Sequence, residues 1–163
     1  MLVQGNTMKA RPIPSDAANG AKRLAERRRV IAADTPEGIA TMRKILEPML
    51  EVVAASSMAD ALELLKGKVD LMVCGIHFES FRMFDLLRLA RADPLSRYKP
   101  ILCYRDHASD LPATLFQSLT ITCHALGAVG FMDLCALKQE VGTASADARF
   151  LAIVLRHLGP GDV

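Results

Sequence analysis

Five short, unbroken apolar runs punctuate the chain: Val30–Ala33, Val52–Ala55, Leu71–Cys74, Ile101–Tyr104 and Ala128–Met132. A strand with one wet face alternates apolar and polar residues, whereas a continuous run suits a strand covered on both faces. Between the runs the apolar residues take up helical spacing. Ile39, Met42, Ile45 or Leu46, and Met49 make one stripe; Met58, Leu62 and Leu65 make a second; Phe84, Leu87 and Ala90 make a third. Each stripe is enough to bury one side of a helix. Leu111 to Leu126, closed by Gly127, predicts a fourth helix. Ala146 to Leu158 predicts a fifth, with Phe150, Ile153, Val154 and Leu158 inward and Gly159-Pro160-Gly161 ending it.

Local punctuation agrees with this reading. Thr35-Pro36-Glu37 reads as a cap followed by proline at the first helical position, where a missing N–H costs nothing. Ser57 or Ser56, ahead of Met58-Ala59-Asp60, opens the second helix. Buried strand and amphipathic helix, repeated five times, predict an α/β fold: a doubly wound five-stranded parallel sheet flanked by helices, with right-handed crossovers. In such sheets, chemistry sits outside the carboxyl ends of the strands. The strand-end residues are therefore the ones that decide function.

Composition narrows the setting. A chain of 163 residues suits one domain, and 51% hydrophobic against 23% charged excludes a fully disordered chain. No apolar run reaches membrane-spanning length and no secretory signal is evident, so the expected compartment is the cytoplasm. Cys74, Cys103, Cys123 and Cys135, with no C-x-x-C pair among them, are then expected as thiols. The net charge of +2 hides an asymmetry: Lys9, Arg11, Lys22, Arg23, Arg27, Arg28 and Arg29 meet only Asp16 and Glu26 before position 30. Residues 1–27 accordingly read as a basic, partly disordered arm, in which Ser15 or Asp16 could cap a short helix to about Arg27, and residues 28–163 as the folded domain. Without aromatic interleaving or a base-reading motif, the arm reads as a solvated tail, and nucleic acid is not an expected partner.

Particular segments carry a further likeness: Arg29-Val-Ile-Ala-Ala-Asp34, Val69-Asp70-Leu-Met-Val-Cys-Gly75, Lys99-Pro100-Ile-Leu-Cys-Tyr, and Ala125-Leu-Gly-Ala-Val-Gly-Phe131. On these the chain resembles the CheY-like receiver family of response regulators from about Arg28 to Leu158. The resemblance implies a flavodoxin-like three-layer sandwich and makes residues 28–163 a receiver-like domain. An active member holds an acidic pair after the first strand, a phosphate-accepting aspartate after the third, a hydroxyl residue after the fourth and a lysine after the fifth. Here those places read Asp34 with Thr35, Gly75, Arg105, and Leu134, or Asp133 under a one-residue slip. Thr35 removes one hard oxygen ligand for a divalent cation. Gly75 has no side chain to attack a phosphoryl donor. The pocket therefore reads as degenerate, with no cofactor, and Arg105 is expected to pair with Asp34 in place of metal and lysine. Phe131 stands where the family has a mobile aromatic on the output face; a plain core phenylalanine is the other reading. Arg105–Leu111 and Leu134–Ser145 are longer than the family pattern and read as loops bordering the site.

What the resemblance implies is a non-enzymatic receiver-like module, independent of phosphorylation, working through contact with another signalling protein in two-component regulation. A homodimer is expected, through the fourth helix, fifth strand and fifth helix. The chain runs to Val163 with no helix-turn-helix output domain in view. A rival reading is a metal or redox sensor built on Cys74, His77, Cys103 and His107, with Cys123, His124 and Cys135 nearby, against which stands the reading of core thiols and loop imidazoles. Asp106, His107 and Asp110 form a polar cluster readable as an acid–base group or as a solvated loop. No G-x-S-x-G elbow and no glycine-rich nucleotide fingerprint is present.

Overall fold

The computed structural model describes residues 27–108 and 111–160. The proposed helix within the basic arm, and Asp110 of the polar cluster, lie outside the described residues. Five strands form one sheet: β1 (Arg29–Ala33), β2 (Glu51–Ala55), β3 (Leu71–Gly75), β4 (Ile101–Arg105) and β5 (Gly130–Asp133). Their order is β2-β1-β3-β4-β5, and every pairing is parallel. β3 and β4 are buried along their whole length, which is why their sequences are continuous apolar runs. The fold class is the one the periodicity predicts.

Helices cover both faces. α1 (Pro36–Leu46), α5 (Leu134–Val141) and α6 (Thr143–Leu158) pack on one, against Val30, Ala32, Val73 and Tyr104. α2 (Met58–Leu65), α3 (Met83–Ala92) and α4 (Ala113–Ala125) pack on the other, against Ile31, Ala33, Cys74 and Cys103. Alternation along each strand assigns neighbouring residues to opposite layers. The caps are as read: the Thr35 side chain accepts from the Gly38 N–H at 3.3 Å, and the Ser57 side chain from the Asp60 N–H at 3.2 Å. At the opposite end of the sheet, Arg91 donates to the carbonyls of Lys99 (2.9 Å) and Gly127 (2.7 Å), fixing the end of α3 to the approaches to β4 and β5.

One segment departs from expectation. Residues 134–145, read as a loop, contain α5 and the first turn of α6. Asp133 caps α5 by accepting from the Ala136 N–H at 2.9 Å, and Gly142, at φ +83°, separates the two helices. With only eight residues, α5 offers too short a stripe to stand out in sequence, although Leu134, Leu137 and Val141 all reach the core. Among the described residues no helix is long and apolar enough to cross a membrane.

Candidate functional site

The carboxyl ends of β1, β3 and β4 bring Asp34, Gly75 and Tyr104 together. Asp34 is only 3% exposed. Its Oδ1 accepts from the Thr35 N–H at 2.8 Å and its Oδ2 from the Tyr104 hydroxyl at 2.6 Å. Two glycines make room for it. A Cβ at Gly75 would lie 2.1 Å from Asp34 Oδ2, and one at Gly38, in the first turn of α1, would lie 1.9 Å from the same atom. The carboxyl group thus occupies the space in which a side chain at the tip of β3 would begin.

Burial pushes the Asp34 carboxyl up from its ordinary value, while the bonds from Tyr104 and Thr35 pull it back; Asp106 adds to the rise and His77 opposes it. Burial, and then the charge of Asp34, push the Tyr104 phenol well above its usual range, so the proton stays on the tyrosine and the carboxylate is the acceptor. Tyr104 also meets Phe150 of α6 edge to face, at 5.6 Å between ring centres.

Arg105 does not pair with Asp34. Strand alternation sends it to the other face, where it forms a two-bond contact with Asp133, Nε to Oδ1 at 3.0 Å and Nη2 to Oδ2 at 2.8 Å. The sheet register puts these two residues side by side, and the guanidinium lies 3.8 Å from the centre of the Phe116 ring on α4. The expected role as counter-ion of Asp34 falls to Tyr104 instead, as a neutral donor. Thr35 spends its hydroxyl as the α1 cap. Leu134 is a fully buried core residue at the start of α5. Phe131 is partly buried in β5 against the layer under α2, α3 and α4.

Thr35, which follows Asp34, lines an open depression of about 460 Å³ together with Glu37, His77, Ser80 and His107. His107 Nδ1 is 2.5 Å from Asp106 Oδ1. The sulfur candidates lie elsewhere. Cys74 and Cys103 face each other across β3 and β4, buried in one cluster with Cys123, while Cys135 sits half-buried on α5. Burial pushes the Cys74 thiol well up; the hydrogen bond with Cys123, and then burial, do the same to Cys103. Such thiols are poor nucleophiles and poor ligands. Among the described residues, no three His, Cys, Asp or Glu side chains are grouped to hold a metal ion.

No protein-family model and no curated protein matches the sequence. Solved structures do match the fold. The phosphorylated cyanobacterial phytochrome response regulator RcpA aligns over 82% of this chain and 95% of its own, at TM-score 0.63 and 11% identity. A response regulator from Hahella chejuensis aligns over 83% and 98%, at 0.62 and 22%. One from Thermotoga maritima aligns over 82% and 99%, at 0.60 and 17%. This is a receiver fold.

Two residues of this receiver fold, Tyr104 and Gly38, escaped the sequence reading, and Asp133, read there only as an alternative to Leu134, escaped it as the partner of Arg105. A tyrosine in a wholly buried strand must find a partner for its hydroxyl, and an acid at the end of a nearby strand was available as that partner. Gly38 carried no such signal, because its role depends on where Asp34 points. Asp133 pairs with Arg105 through sheet register, which local periodicity does not reveal.

Proposed function

We propose that this chain is a receiver-like signalling module of two-component-type regulation that works in the cytoplasm through protein contacts, without aspartyl phosphorylation. The signalling half rests on the receiver fold shared with response regulators. The other half rests on one observation: the tip of β3 carries Gly75, and the Asp34 carboxyl fills the space where an acceptor side chain would begin. Phosphoryl transfer to a receiver needs a nucleophilic carboxylate, a cation beside it and positive charge on the transferred group. Here Asp34 is withdrawn beneath the surface, hydrogen-bonded on both oxygens, with Asp106 close enough to repel it, and the Arg105 guanidinium is engaged with Asp133. Thr35, at the second acidic place, serves as a helix cap.

The test is incubation of the purified chain with magnesium and acetyl phosphate, read by intact mass spectrometry and by amide NMR at the strand ends. The unchanged mass and unchanged resonances of Asp34, Thr35 and Gly75 are the expected result. A phosphoryl adduct, or a saturable magnesium-dependent shift at those residues, would overturn the proposal.

A further inference from the structure

Away from the Asp34 site, α3 and α4 leave an apolar cavity of about 270 Å³, lined by Ile76, Phe81, Met83, Phe84, Leu115 and Leu119 among others. A cavity of roughly 150 Å³ already holds a benzene ring, so this one has room for an aromatic side chain. Along its length, α4 has no Asp, Glu, Lys or Arg, and it leaves Leu115 and Ile121 exposed. At the rim of the cavity stands Phe81, 62% exposed. Three successive non-glycine residues hold it there in left-handed backbone: Glu79 (φ +40°), Ser80 (φ +59°) and Phe81 (φ +68°). L-residues enter this region only at a cost. A strained turn thus holds a largely exposed phenylalanine, its ring edge-on to His77 at 4.9 Å, at the rim of an apolar space able to accept a second ring.

The charges beside it identify the occupant. Glu79, Arg82, Asp85 and Arg88 recur every third residue with alternating sign, interleaved with Phe81 and Phe84. Neighbours in this ladder pair at 3.2, 3.3 and 3.3 Å. Read backwards, the ladder has every sign reversed. Two copies laid antiparallel would therefore set Glu79 against Arg88 and Arg82 against Asp85, with no like charges opposed. An isologous two-fold contact requires a patch to complement itself in this way.

We propose that the α3–α4 cleft is a homodimer interface in which Phe81 of each copy enters the cavity of the other and the two charge ladders pair antiparallel. This names the partner for the contact function proposed above and rests on that reading. The face differs from the one the family resemblance implies, the fourth helix with the fifth strand and fifth helix.

Sedimentation equilibrium of the full chain across a concentration series tests it. The wild type dimerises, and Phe81→Ala weakens the dimer by about tenfold or more while circular dichroism shows an unchanged fold. Glu79→Arg and Arg88→Glu each weaken self-association. Mixed in equal amounts, they form a heterodimer as tight as the wild type, because each mutant ladder then opposes its complement. Arg82→Glu and Asp85→Arg repeat the mixing test at residues outside the strained turn. A wild type that stays monomeric, a dimer indifferent to Phe81→Ala, or mixtures no tighter than either variant alone would each overturn the proposal. A phosphoryl adduct on a dimer that behaves as described would sink only the phosphorylation reading, so the two failures are separable.

Discussion

Gly75→Ala adds one carbon to the chain, and the structure says where it goes. That carbon would sit 2.1 Å from Asp34 Oδ2, 2.3 Å from Cγ and 2.6 Å from Oδ1, all well inside van der Waals contact. Asp34 can retreat only by loosening its bonds from the Tyr104 hydroxyl and the Thr35 N–H, because Gly38 closes the space on the α1 side. Overpacking of a tight core costs about 1–3 kcal/mol, and a hydrogen bond to a charged group is worth about 1.5–3 kcal/mol. Gly75→Ala should therefore destabilise the protein by on the order of 3 kcal/mol. Asp34→Ala removes the obstruction at its own cost of about 1–3 kcal/mol, since the Tyr104 hydroxyl is left buried without a partner. The double variant should then be no less stable than Asp34→Ala alone, a coupling of about 2–3 kcal/mol where independent sites add to within about 0.5. Urea unfolding followed by far-ultraviolet circular dichroism suits a chain with no tryptophan, and equal m-values would confirm that one transition is being compared. If Gly75→Ala unfolds at the wild-type midpoint, or the two substitutions add, then Asp34 does not occupy the tip of β3 and the reasoning about the site fails.

Tyr104→Phe removes the bond that pulls the Asp34 carboxyl down and leaves burial to push it further up, with a stability loss of about 1–2 kcal/mol at neutral pH; carboxyl NMR titration of Asp34 reads the direction, and a fall would contradict the assignment. With the folded-state value above 3.8, the stability linked to this group is fully present below 3.8 and is lost as pH rises through the folded value. Asp34→Asn should remove that component of the pH dependence, which a slope equal to that of the wild type would disprove. Arg105→Lys should cost about 1–2 kcal/mol despite keeping the charge, because an ammonium cannot make both bonds to Asp133 while stacking on Phe116; a thermal midpoint equal to the wild type would show that the two-bond contact is dispensable.

The layered sheet was legible because β1, β3 and β4 are buried on both faces and say so in consecutive apolar residues, and because Thr35-Pro36 and Ser57 mark helix starts by chemistry confined to a few positions. α5 was not legible, since eight residues with three core contacts resemble a loop with apolar residues in it. At the site, the identities at the strand tips could be aligned, but not their directions. Arg105 and Tyr104 are adjacent, and which one faces Asp34 depends on the phase of β4 relative to two layers of helices. The expectation took the charge; the strand phase gives the position to the phenol. The two glycines illustrate a subtler gap. Sequence shows Gly75 as a missing side chain, whereas the folded chain shows it as a filled place.

That filled place bears on descent. A carboxylate at position 75 is a single replacement away in sequence, yet taken alone it would collide with Asp34. Removing Asp34 first would strand the phenolic hydroxyl of Tyr104 in the core. Either order crosses a trough in stability, so a lineage carrying this arrangement would be held from acquiring a carboxylate there by stepwise mutation, and its members should diverge at neighbouring strand tips while keeping Asp34, Gly38, Gly75 and Tyr104 as a set.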